Sequence, residues 1–222
     1  MRCKVVFGMN LLTKEDLLSK LRTYAQTPDD DVIRCKEKIK YALLRCPELL
    51  YALNNKELES ELFNPDGSLN ASYDENGDII PEGEWDRYFG YNIRPNTFVE
   101  QVQESADNFL CYTVSFSESP RFNTSEYYLQ IIFTIYCSAS SEQSIDAETG
   151  IPRHDLIGSI LRENFAWSNI FGLRCRMVSN QEKIVDSVFL TRQIVFEATL
   201  PNAKVMTPFN EKTEMINHKI RK

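Results

Sequence analysis

Apolar and polar residues alternate with a period of two in several stretches of this chain. In Tyr127–Cys137, Leu129, Ile131, Phe133, Ile135 and Cys137 point one way. Tyr128, Gln130, Ile132, Thr134 and Tyr136 point the other way, as side chains on a β-strand must. That second face is half apolar, which invites cover by other residues or by another subunit. In Leu190–Leu200, Leu190, Ile194, Phe196 and Ala198 alternate with Thr191, Gln193, Val195 and Glu197. Leu173, Cys175 and Met177 alternate with Arg174 and Arg176, and Leu110, Tyr112, Val114 and Phe116 with Cys111, Thr113 and Ser115. Between these strands the period changes. Leu156, Ile160 and Asn164 fall on one helical line, and Ile157, Leu161 and Phe165 on the next, a stripe wide enough to cover a sheet. Pro152 sets the helix start near Arg153–Asp155, and Asp155 suits the positive end of the dipole. The helix stops around Ala166–Phe171, with Gly172 as the turn residue.

The order strand, strand, helix, strand, strand predicts an α+β core over 97–201. Its sheet is antiparallel or mixed, of about four strands, with the helix on one face. An N-terminal helical segment, 1–53, precedes it. Thr13 caps the first helix with Asp16 reaching back, and Leu17, Leu18 and Leu21 form its apolar side. A turn at TPDDD leads to a second helix carrying Val32, Ile33, Ile39, Leu43 and Leu44. Pro47 ends it or restarts it, and ELLYALNN adds a turn. From 54 to 96 the periodicity dissolves into a long loop or arm rich in Gly, Pro and acids, with at most a short hairpin around Asn76-Gly77. The last stretch, 202–222, reads as an extended tail ending in His218, Lys219, Arg221 and Lys222. Such a tail is mobile, or docks on an acidic partner.

Composition adds constraints. The chain has 222 residues, 42% hydrophobic and 26% charged, which are values of a globular protein. No run approaches roughly 18 consecutive apolar residues, so no membrane span is expected. VVFGMNLL near Met1 lacks a cleavage site, so no secretion signal is expected either. The net charge of −7 opposes gripping nucleic acid by its phosphates. It does not oppose letting a duplex pass, because a negative wall repels the backbone. Lys36, Lys38, Lys40 and Arg45 sit beside Glu37 and Glu48 and read as a solvated helix face sooner than as a nucleic-acid patch.

Candidate chemistry is thin. Cys3, Cys35, Cys46, Cys111, Cys137 and Cys175 form no CxxC pair. They read as small buried hydrophobes in a reducing compartment, with a disulfide framework or a zinc site as the alternatives. DENGD at Asp74–Asp78 resembles a calcium loop but places its glycine at position four instead of six. An enzyme would have to use His154 with Asp155 as an acid–base pair, or Asp186 with Glu197 as paired carboxylates. Neither makes a convincing catalytic site, and no metal or cofactor is expected. Trp85, Tyr88, Phe89 and Tyr91 either pin 54–96 onto its own core or anchor it to a neighbouring subunit. Arg174 and Arg176 either face solvent or meet a neighbour's acids.

The second half of the chain also resembles a known group. TGIPRHDLIGSILRENFAWSNIFGLRCRMVSNQEKIVDSVFLTRQIVFEATLPN, with the preceding strand SESPRFNTSEYYLQIIFTIYC, is similar to the C-terminal part of head-to-tail joining proteins of tailed bacteriophages. Among these it resembles proteins that complete the neck or terminate the tail tube. ELLYALNN and YFGYNIRP carry a weaker echo. The resemblance implies a non-enzymatic virion protein, made in the bacterial host cytoplasm and located in the neck or tail. It implies a closed ring of six or twelve copies between portal and tail proteins, with double-stranded DNA crossing the centre without sequence-specific binding and no membrane involved. Terminator, stopper and adaptor roles stay open. The competing classes are a host-interaction or regulatory binding module and a small hydrolytic enzyme.

Overall fold

A computed structural model of the chain describes residues 13–26, 31–96, 107–117, 126–168, 175–184 and 189–201. The elements in order are α1 (Lys14–Gln26), α2 (Asp31–Leu44), α3 (Pro47–Ala52), α4 (Glu59–Leu62), β1 (Ala71–Tyr73), β2 (Ile79–Pro81), a 3-10 turn (Trp85–Tyr88) and β3 (Ile93–Arg94). They continue with β4 (Phe109–Ser117), β5 (Glu126–Ser138), α5 (Ser141–Ser144), α6 (Arg153–Phe165), β6 (Arg176–Ile184) and β7 (Phe189–Pro201).

The fold is α+β. Its main sheet has five strands in the order β3-β4-β5-β7-β6. The four long strands pair antiparallel, and only the two-residue β3 runs parallel to its neighbour β4. The period-two reading places the faces correctly. Leu129, Ile131, Phe133, Ile135 and Cys137 are all 0% exposed, opposite Leu110 and Tyr112 on β4 and Ile194, Phe196 and Ala198 on β7. β6 enters at the edge and β7 returns between it and β5, with a bulge between Met177 and Ser179. Leu173, Arg174 and Gly172 lie outside the described residues, as does the TPDDD turn up to Asp30.

α6 lies across the inner face. Ile157, Leu161 and Phe165 are buried, so the second of the two predicted lines faces the sheet, while Asn164 is exposed. Phe165 meets Phe133 at 4.9 Å between ring centroids and Phe196 at 5.9 Å. Gly158 lies close to the sheet, and a Cβ there would press on the Arg192 side chain at 2.9 Å, which would have to shift. α2 flanks α6 over β4, where the Tyr112 hydroxyl donates to the Lys36 carbonyl at 3.2 Å. α3 starts at Pro47, a proline in the first turn, where its missing N–H costs nothing.

The segment 54–96 departs from the expected arm. The hairpin at Asn76-Gly77 is present as β1–β2, closed by the Asp74 carboxylate accepting from the N–H groups of Asn76 and Asp78, each at 2.8 Å. Asp74 is thus occupied in shaping a turn, with Gly77 at φ +84. The rest of the segment is docked, because Leu58, Leu62, Trp85, Tyr88 and Ile93 share one core cluster with α2, α6 and the sheet. Trp85 Nε1 donates to the Glu61 carbonyl at 2.9 Å. Buried amides complete the docking. Asn55 Nδ2 donates to Asn92 at 2.7 Å, Asn92 to the Asn108 carbonyl at 2.9 Å, and Asn108 to Gln143 at 3.0 Å and the Leu53 carbonyl at 3.2 Å.

Gly83 lies against this seat, and a Cβ there would collide with the Glu61 carbonyl. Gly83→Ala is expected to lower stability by roughly 1–3 kcal/mol, the usual cost of overpacking. The check is a denaturant midpoint shift at unchanged slope. Gly77→Asn, at an open positive-φ turn, is the near-neutral control.

Candidate functional site

The start of α6 gathers the charges that the core leaves buried or half-buried. Arg153 is drawn inside. Its guanidinium meets Asp146 at 3.1 Å, with side-chain exposures of 7% and 8%, and reaches the Ala52 carbonyl at 3.4 Å. Asp146 also accepts from the Thr149 hydroxyl at 2.8 Å and from the Thr149 N–H at 3.0 Å. That bonding to Thr149, with Arg153 adding its charge, holds the Asp146 carboxyl below the usual range. Arg153 therefore ties the α6 start to the α3 end and to the loop that precedes it.

One residue on, a second cluster forms. His154 is 6% exposed, and its Nε2 lies 3.0 Å from Glu182 and 3.5 Å from Asp155. Arg192 of β7 contacts Asp155, Glu182 at 3.3 Å and the Asn180 side chain at 2.8 Å. Position 192 belongs to the inner register of β7, facing Ile135 on β5 and Glu182 on β6. An arginine there must find carboxylates, because a desolvated charge without a partner is very costly. Hydrogen bonding from His154, then the charges of His154 and Arg192, lower the Glu182 carboxyl below its ordinary value.

His154, Asp155 and Glu182 offer three ligand atoms within 4.8 Å of one another, the spacing of a metal site. Arg192 already lies against both carboxylates, so the three residues belong to an ion-pair network in the structure. Neither of the two cavities described, one beside α2 and a small one beside α3, is lined by these residues. The pair His154–Asp155 proposed for acid–base chemistry is thus brought together with Glu182 and Arg192. Of the pair Asp186–Glu197, Asp186 lies outside the described residues, and Glu197 faces Arg176 at 3.7 Å on the outer face.

The other sequence candidates separate by burial. Trp85 and Tyr88 are each 1% exposed and pin their segment onto its own core, so they are not available to a neighbouring chain. Burial pushes the Tyr88 hydroxyl up to about 12. Phe89 is half-buried under the Lys40 ammonium, 4.6 Å from its ring centroid. Tyr91 is 39% exposed and donates to Asp107 at 2.9 Å. Arg176 is 66% exposed, and Arg174 lies outside the described residues. The basic run on α2 is partly engaged. Lys36 donates to the Pro95 carbonyl at 2.8 Å, and Arg45 stacks on Tyr41 at 3.6 Å. Burial raises the thiols of Cys46, Cys137 and Cys175 to about 12 and that of Cys111 to about 11. These are poor nucleophiles, since the thiolate is the reactive form.

Sequence reasoning did not find Arg192, Arg153 or the groove beside α2. Arg192 left a signal, as a lone charge between Leu190 and Ile194 in an otherwise apolar register. Arg153 and Asp146, seven residues apart across a loop, left none. The groove joins α2 to the hairpin and the 3-10 turn, and is lined by Lys38, Tyr41, Arg45, Asp78, Ile80 and Asp86 among others, with a volume near 1500 Å³.

Two measurements test these clusters. Arg153→Met strands the Asp146 carboxylate and should cost roughly 3–5 kcal/mol, with Asp146→Asn in the same chain restoring part of it. Chemical denaturation of the single and double variants checks this. Glu182 has a lowered carboxyl, so its stabilising contribution is present above the ordinary value of 4.5 and is lost as pH falls through the folded one. The stability gap between wild type and Glu182→Gln should therefore shrink on going from about pH 6 to about pH 3. A gap independent of pH would count against the His154–Glu182–Arg192 coupling.

Among the described residues no helix is long and apolar enough to cross a membrane. No curated protein matches the chain. A family model does: residues 47–198, from the start of α3 into β7, match that of YomW. The match covers more than half of the chain, which therefore belongs to YomW, a phage-associated family.

Proposed function

We propose that this phage-family protein is a structural virion component that assembles into a ring at the head–tail junction. It joins portal and tail proteins there and lets double-stranded DNA pass. The roles that fit are tail terminator or neck completion. Membership in a phage-associated family supports the setting. The observation that carries the assembly is the sheet. Its four long strands alternate in direction, and the outward sides of β6 at one edge and of Tyr112–Ser117 of β4 at the other pair with no strand among the described residues. An even number of alternating strands lets β6 of one copy lie antiparallel to β4 of the next, with every copy oriented alike. That is the requirement for a heterologous contact that closes around an axis. The acidic balance of the chain suits a channel through which DNA slides without adhering.

The experiment is size-exclusion chromatography with negative-stain microscopy of the full chain, alone and with portal and tail proteins. Annular particles are expected. A chain that stays monomeric under both conditions, and that purified virions lack, would overturn the reading in favour of a host-directed binding module or an enzyme.

A further inference from the structure

α1 carries an apolar face that is left in water. Leu17, Leu18 and Leu21 are 47%, 43% and 62% exposed, and every side chain from 13 to 22 is exposed. These leucines lie at i, i+1 and i+4, a single stripe. The helix is nonetheless well begun: Thr13 N–H donates to Asp16 at 2.9 Å and the Asp16 N–H returns to the Thr13 hydroxyl at 3.1 Å. An isolated helix of 13 residues is marginal in water, and most helical stability comes from packing an amphipathic face. A capped helix with an uncovered leucine stripe is therefore built for a surface to pack on.

The chain also carries such a surface. The groove of about 1500 Å³ runs between α2 and the β1–β2 hairpin with the 3-10 turn. Tyr41 on one wall and Ile80 on the other are 56% and 41% exposed. The α2 wall is mainly basic, with Lys38, Lys40 and Arg45, and the facing wall mainly acidic, with Asp78, Glu84 and Asp86. Bases and acids in the lining balance, which does not suit a polyanion such as DNA. It suits an amphipathic helix whose apolar stripe is flanked by both signs, as Lys14, Glu15 and Arg22 flank the leucines of α1. Within one chain the leucines are exposed and line no part of the groove.

We propose that α1 of one copy seats Leu17, Leu18 and Leu21 in the α2–hairpin groove of the next copy. Ridge and groove are different surfaces of the same chain, so the contact is heterologous and propagates in one direction. It rests on the self-assembly in the proposed ring and adds a second contact between neighbours to the one at the β6–β4 edge.

The test uses two variants of the full chain, each altered only at exposed positions. One is Leu17→Lys/Leu21→Lys on the helix, the other Tyr41→Glu/Ile80→Asp in the groove. Circular dichroism and an unchanged unfolding midpoint establish that both fold. In sedimentation velocity each variant alone should need about 100-fold more protein to assemble than wild type, the loss of two good anchors. An equimolar mixture should associate at lower concentration than either variant alone, because one intact ridge then meets one intact groove. Variants that assemble like wild type would leave the ring standing and overturn the α1 contact. So would a mixture that stays monomeric. A wild-type chain that stays monomeric alone and with portal and tail proteins would overturn both readings.

Discussion

The architecture depends on how α6 sits across the sheet. At one end the contact is apolar, with Phe165 wedged against Phe133 and Phe196. Tilted and edge-on rings at these separations contribute beyond their buried area. At the other end the same helix meets the sheet through charge, Asp155 facing Arg192, with His154 and Glu182 alongside. The apolar end supplies most of the driving force, because the interior is close-packed and a lost ring leaves a void. The charged end supplies registry. A helix slid by one turn would keep its hydrophobic contact but strand Arg192 without a partner. Burying an ion pair is weak evidence for stability in itself, but breaking one is costly, and that asymmetry fixes the helix in place.

The same division governs how the rest of the chain joins this unit. α2 and α3 add apolar cover, and the segment from 54 to 96 adds its own apolar residues to the same core and secures them with buried polar contacts. Asn55, Asn92 and Asn108 are at most 5% exposed, and each spends its amide on another part of the chain. Through them the end of α3, the entry to β3 and the first residue before β4 become one junction. A fully satisfied buried network rigidifies, and a partly satisfied one is costly, so these residues constrain the long excursion more tightly than its irregular backbone suggests.

Sequence pattern made the sheet legible because its physics is local. Burial of one strand face imposes a period of two, and β4, β5 and β7 all display it. α6 and the Thr13–Asp16 cap were legible for the same reason. The segment from 54 to 96 was not, because its order comes from contacts distant in sequence: Trp85 to the Glu61 carbonyl, Asn55 to Asn92, Asn92 to the Asn108 carbonyl. Glycines, prolines and acids announce turns but not where the turns dock. The aromatics of that segment divide for a reason that composition cannot express. Trp85 and Tyr88 fall on the inward side of a 3-10 turn, while Tyr91, three residues past Tyr88, faces out. The charged cluster was half legible: His154 and Asp155 are adjacent in sequence, but Glu182 and Arg192 reach them only through strand register.

The cysteines carry a consequence for durability. Cys46, Cys111, Cys137 and Cys175 keep their protons to about pH 11 or 12 because the packed interior refuses the thiolate. Peroxide and disulfide exchange attack through that ionised form, so these four sulfurs offer little to either. At these four positions packing itself is what keeps oxidants and foreign thiols away from the sulfur.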